Sequence, residues 1–148
     1  MPSPPSPARV VRLARWALAA YGAVLGLMLL APSPAAPSWL IVTVTGWVTR
    51  AGVPETLATT DRVEFLLNVA AFVPLAALGG LIWRRLTWRD WTAFGFVASF
   101  GVEVVQALGL DARSATHVDV VANTLGALLG AAVAAVAVRL LPGSTNTD

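Results

Sequence analysis

Residues 91–110 read WTAFGFVASFGVEVVQALGL, a run of twenty positions with one ionisable side chain, Glu103. As an α-helix such a run rises about 30 Å, the thickness of the hydrocarbon core of a bilayer. Glu103 has no helix end to cap, and a carboxylate near the membrane interior costs roughly 2.5 to 3.5 kcal/mol. It therefore needs a partner or a purpose. This one stretch sets the fold class, a membrane-spanning helix among others, and names the first candidate functional residue.

The rest of the chain has the same character. Of its 148 residues 57% are hydrophobic and 12% charged, and mean hydropathy is +0.73, which places it with membrane proteins. No internal repeat or composition break marks a boundary, so residues 1–148 read as a single membrane domain. The ten basic residues are all arginines and net charge is only +2; with the arginines confined to particular loops, a nucleic-acid surface is excluded. Having no cysteine, the chain has neither disulfides nor thiol ligands. The all-arginine usage hints at a GC-rich bacterial source.

Four apolar stretches predict an all-α, polytopic bundle of four transmembrane helices. The first, residues 16–31, follows Arg9, Arg12 and Arg15. It reads as an uncleaved helix with Gly22 and Gly26 as a close-packing face; the alternative is a signal peptide cleaved near Ala31, Ser33, Ala35 or Ala36. The second, residues 63–83, contains Pro74, which predicts a kink. The third is residues 91–110. The fourth, residues 119–141, carries Gly126 and Gly130. Between the first two lies a long connection, residues 32–60, whose apolar part, 39–48, is too short to span and is read as interfacial or dipping in partway. The head, residues 1–8, and the tail, residues 143–148, are expected to be disordered.

Arginine placement predicts the orientation. Arg9, Arg12, Arg15, Arg84, Arg85, Arg89 and Arg139 fall on one side, Arg50, Arg62 and Arg113 on the other, which puts both termini in the cytoplasm. Trp83, Trp88 and Trp91 bracket the turn with Arg84, Arg85 and Arg89, as interfacial aromatics do.

Depth then brings the polar residues together. Asn68 lies seven positions after Asp61 and Asn123 seven after Thr116, so each sits roughly 10 Å below the outer end of its helix. Glu103, twelve positions after Trp91, stands roughly 18 Å up from the other side, at about the same level. Each has a same-face companion nearer the outside: Glu64, Gln106 and Asp119. The expected result is a polar pocket opening outward, with Arg113 in the short loop as counter-ion.

Each residue also has a plainer explanation. Asp61 with Glu64, and Thr116 with Asp119, have capping-box spacing. Asn68 and Asn123 suit interhelical hydrogen bonding, worth about 0.6 kcal/mol on average in membranes. Ser99, one turn from Glu103, reads as a packing residue, and the lone His117 as a surface one.

Three blocks resemble the VanZ-like family of bacterial membrane proteins. Asn68, Phe72, Pro74 and Leu75 are similar to its N-x-x-x-F-x-P-L-G, with Ala76 in place of the last glycine; Ser99, Glu103 and Gln106 to S-x-x-x-E-x-x-Q; and Arg113, Ser114, Asp119, Asn123, Thr124, Gly126 and Gly130 to R-S-x-D-x-D-D-x-x-x-N-T-x-G-x-x-x-G, with Thr116 and Val118 where many members have aspartates. The resemblance covers residues 61–141. It implies a multi-pass bacterial cell-membrane protein whose family is linked to lowered sensitivity to teicoplanin, a lipid-bearing glycopeptide.

The function expected is binding of the head group of an envelope lipid, a wall-precursor lipid or a lipoglycopeptide by Glu64, Asn68, Glu103, Gln106, Arg113, Asp119 and Asn123. No cofactor or metal is assigned. One alternative is a metal-dependent membrane hydrolase or transferase acting on a lipid-linked substrate through Glu64, Glu103 and Asp119; no phosphate loop, H-E-x-x-H or G-x-S-x-G accompanies it. Another is a structural subunit that packs a membrane-protein partner through Gly126 and Gly130.

Overall fold

The computed structural model describes residues 7–30, 35–109 and 117–140, and among them the chain is all-α. Five helices follow one another: α1 (Pro7–Leu29), α2 (Ala35–Arg50), α3 (Thr60–Ile82), α4 (Trp88–Gly109) and α5 (His117–Leu140). Among the described residues, α1, α3, α4 and α5 contain segments long and apolar enough to cross a membrane. They are the four spans expected. Their surfaces are those of a membrane protein: Trp16, Leu27, Leu66, Val97, Leu108 and Leu140 all point outward, an apolar exterior that suits lipid rather than water.

Pro7 is the first residue of α1, where its missing N–H costs nothing. The helix thus takes in positions 7 and 8 of the expected disordered head; residues 1–6 and 143–148 lie outside those described. α2 is longer than the apolar core of its sequence suggested. Its sixteen residues rise about 24 Å, short of a full crossing. Gly52 ends it with φ +96, and the amides of Gly52 and Val53 reach back to the carbonyls of Thr49 (3.0 Å) and Val48 (3.2 Å). This Schellman closure requires a left-handed residue, which glycine supplies.

Thr59, not Asp61, caps α3: its hydroxyl accepts from the amide of Arg62. The helix starts earlier than the apolar run because a capping hydroxyl settles the end, and Asp61 sits in the first turn, where a carboxylate complements the helix dipole. The Arg62 guanidinium donates to Thr56 O (2.9 Å) and Leu57 O (3.4 Å), holding the preceding turn against the helix start. At the other end, Thr87 and Asp90 form a reciprocal box. The Thr87 amide donates to Asp90 Oδ2 at 2.7 Å and the Asp90 amide to Thr87 Oγ1 at 3.4 Å, so α4 begins at Trp88, before the apolar run that signalled it. The corresponding Thr116 cap of α5 lies outside the described residues.

The core lies between α3 and α5, with α4 against α5 and with α1 and α2 against α3. The buried α5 positions Asn123, Gly126, Ala127, Gly130, Ala131 and Ala134 recur every three or four residues, one face of the helix. A methyl group added to Gly126 would overlap Val69 O of α3, and one on Gly130 would overlap Val73 O. The two backbones touch there, which only a residue without Cβ allows. Within the chain this glycine face is therefore occupied by α3. The similar pair on α1 behaves differently: Gly22 makes ordinary contact with Leu75 at 3.7 Å, while Gly26 faces open space. Among the described residues the expected α1 close-packing face is not seen, because at Gly26 no neighbouring helix comes within 4 Å.

Candidate functional site

Side chains of α4 and α5 meet in antiparallel steps of one turn. Gly95 faces Ala127 and Ser99 bonds to Asn123, while Glu103 and Asp119, each one turn further on, both line the same cavity. On the other side α3 and α5 run in parallel, locked by the glycine contacts. These two registers aim the polar residues of three helices at one region, near the ends at which α3 and α5 begin and α4 finishes.

A cavity of about 490 Å³ opens there, and its lining includes Glu64, Asn68, Glu103, Gln106, Asp119 and Asn123. Six of the seven residues chosen from sequence thus share one recess; the seventh, Arg113, lies outside the described residues, as does Ser114. Asn68 Nδ2 donates to Asp119 Oδ1 at 2.7 Å, a partly buried bond across the α3–α5 seam. Its partner is one turn nearer the helix start than Asn123, since side chains on a helix lean towards its N-terminus. Asn123 is 3% exposed and its Nδ2 donates to Ser99 Oγ at 2.9 Å. Ser99, 1% exposed, is thus a buried hydrogen-bonding residue between helices. The asparagines and Glu103 share the recess, with Asn68 bonded to Asp119 and Asn123 to Ser99.

Asn123 Oδ1 is buried with no donor of its own, although burying an unsatisfied carbonyl oxygen costs about 1–3 kcal/mol. Glu64, Glu103 and Asp119 each have an interaction partner. Among the described residues no three His, Cys, Asp or Glu side chains gather closely enough to hold a metal ion. His117 is exposed at the start of α5 and is not among the cavity residues.

Sequence reasoning missed the far wall. Tyr21 lines the cavity, and its hydroxyl donates to Ala71 O of α3 at 2.9 Å. Ala71 follows Ala70, whose carbonyl Pro74 leaves without a helical donor; Tyr21 thus supplies polar contact to the turn that the proline weakens. Its signal was in view, because it is the chain's one tyrosine and stands in an apolar helix. Gln106 Nε2 donates to Leu29 O at the end of α1 (2.8 Å), tying the first helix to the third span. α2 adds Ser38, Leu40 and Ile41. The cavity therefore has an acidic and amide-bearing side formed by α3, α4 and α5, and a largely apolar side formed by α1 and α2.

The model of the VanZ/LLP1 family matches residues 18–138. The chain belongs to the VanZ/LLP1 family. The match reaches well beyond the three motif blocks and takes in the second half of α1 and all of α2, which the motifs alone left unaligned. In this VanZ/LLP1 chain those two helices supply the apolar wall of the cavity, so the family's region coincides with the whole site rather than its polar half. Neither a curated protein nor a solved structure matches the chain.

Proposed function

We propose that this VanZ/LLP1 membrane protein binds the polar head of an amphiphile, an envelope lipid, a wall-precursor lipid or a lipoglycopeptide, in the cavity between α1 and the three motif-bearing helices. One observation carries the reading: polar side chains from three spans and an apolar wall from two further helices enclose the same 490 Å³. Small-molecule sites have this makeup, mostly apolar with a few placed polar groups. The head group meets Glu64, Asn68, Glu103, Gln106, Asp119 and Asn123, with Arg113 as a charge partner for a carboxylate or for an anionic ligand. The tail lies along Val24, Leu25 and Met28 towards lipid.

Seven arginines against three support a topology with both termini in the cytoplasm and the cavity opening outward. In that orientation the site faces the side on which wall precursors and glycopeptides are found, and an effect on teicoplanin sensitivity follows from occupancy of the site. The test is titration of the purified full chain in detergent with teicoplanin and, separately, with a lipid-linked wall precursor. Glu103→Gln keeps the shape of the side chain and removes its charge; it is expected to weaken binding of the preferred ligand at least about tenfold, the scale of one charge-assisted hydrogen bond, with helicity unchanged. Equal binding by both proteins, or none by the unmodified chain, overturns the proposal.

A further inference from the structure

A second cavity, of about 280 Å³, lies at the opposite end of the bundle, where the α3–α4 turn meets the last turns of α5. Arg84 and Arg85 come to it from the turn and Arg139 from α5. No carboxylate is among its lining residues, and the nearby Asp90 is engaged by Thr87 through both amide and hydroxyl. Among the described residues none of the three guanidinium groups has an ion pair or hydrogen bond. Three cations around one recess whose lining holds no carboxylate favour an anion from outside the protein.

The remaining walls say what kind of anion. The half-buried Ala135 and Val138 of α5 make an apolar floor beside the arginines, with Ala131 and Ala134 buried beneath them against α3. Trp88 and Trp91 stand at the rim, Trp88 with Arg89 over its ring at 5.2 Å, the level at which indoles mark the boundary between head groups and acyl chains. The Trp91 ring is fixed against Gly79 and Gly80. A free phosphate would use the cations and leave the floor empty. A phospholipid uses both.

We propose that Arg84, Arg85 and Arg139 form a binding site for the phosphate of an anionic phospholipid, with one acyl chain lying against Ala135 and Val138 of α5. Guanidinium groups suit this task because their planar fork engages phosphate oxygens in pairs, and basic recesses between spans are where anionic lipid head groups bind. The site is separate from the polar cavity at the other end and does not depend on what that cavity holds.

The test equilibrates the purified full chain with mixed vesicles of phosphatidylglycerol and phosphatidylcholine, then counts by native mass spectrometry the lipids retained after detergent washing. The unmodified protein is expected to retain phosphatidylglycerol in preference. Each arginine contributes about fivefold, so R84Q/R85Q/R139Q is expected to lose the preference by well over tenfold. R9Q/R12Q/R15Q removes the same charge from α1, outside the recess, and is expected to keep it. If the triple variant misfolds, R139Q alone is expected to show the fivefold loss. Three results overturn the proposal: no preference in the unmodified protein, equal loss in both charge-matched variants, or thermal stabilisation by inorganic phosphate equal to that by phosphatidylglycerol.

Discussion

Gly26 and Gly130 each close a pair of glycines four residues apart in an apolar helix, yet a methyl group should have opposite effects at the two. At Gly130 the new Cβ would overlap Val73 O and crowd Ala76 Cβ at 3.0 Å. The first obstacle is backbone, so α3 and α5 must separate rather than a side chain rotate. Overpacking of this kind costs about 1–3 kcal/mol, against about 1 kcal/mol gained because alanine favours the helix over glycine. With backbone in the way the upper part of the range applies, leaving a net loss of about 2 kcal/mol for Gly130→Ala. At Gly26 nothing lies within 4 Å, so Gly26→Ala keeps the propensity gain of up to about 1 kcal/mol. The two variants should then differ by about 3 kcal/mol, roughly a hundredfold in the folding equilibrium. Adding Gly126→Ala to Gly130→Ala should cost less than the sum, because one separation of the helices relieves both overlaps. The assay is equilibrium unfolding in mixed micelles, titrating denaturing detergent and following helicity. Equal stability of Gly26→Ala and Gly130→Ala would refute the backbone contact between α3 and α5, and with it the parallel register that brings Asn68 to Asp119.

Two further predictions concern the recess. In a double-mutant cycle of Asn68→Ala and Asp119→Ala, the 2.7 Å bond should appear as a coupling of about 0.6–1.7 kcal/mol, from the average to the largest measured between membrane helices; a coupling of zero by the same unfolding assay means the two side chains do not pair. Tyr21→Phe should cost about 0.5–1.5 kcal/mol through the bond to Ala71 O, and a Tyr21→Phe protein as stable as its parent would show that this bond does not help hold the first helix.

The polar half of the site was legible because its residues are costly where they stand. A carboxylate at Glu103 and amides at Asn68 and Asn123 interrupt long apolar runs, and counting helical rise brings them to one depth without any knowledge of contacts. Ser99 offered no such contrast: a serine is cheap in an apolar helix, and only its partner Asn123 shows what it does. The apolar wall was hidden for the opposite reason. Leu25, Met28, Leu40 and Ile41 differ in no way from lipid-facing neighbours in sequence, and Tyr21 becomes informative only beside the carbonyls ahead of Pro74. The cap of α3 was misplaced by two residues because Thr59, Thr60 and Asp61 are all competent to cap, and the backbone decides among them.

Sequence by itself determined the spans, the buried charge and amides, and the arginine-rich turn, all of which follow from hydropathy and helical rise within one segment. Tertiary structure decided which glycine pair became a helix contact, which residues pair across the seams, and that α1 and α2 close the recess. The physical reason is that a helix in lipid is apolar on nearly every side. Burial of apolar surface then cannot single out the inward face, and the choice falls to backbone fit and interhelical hydrogen bonds, which exist only once the helices have met.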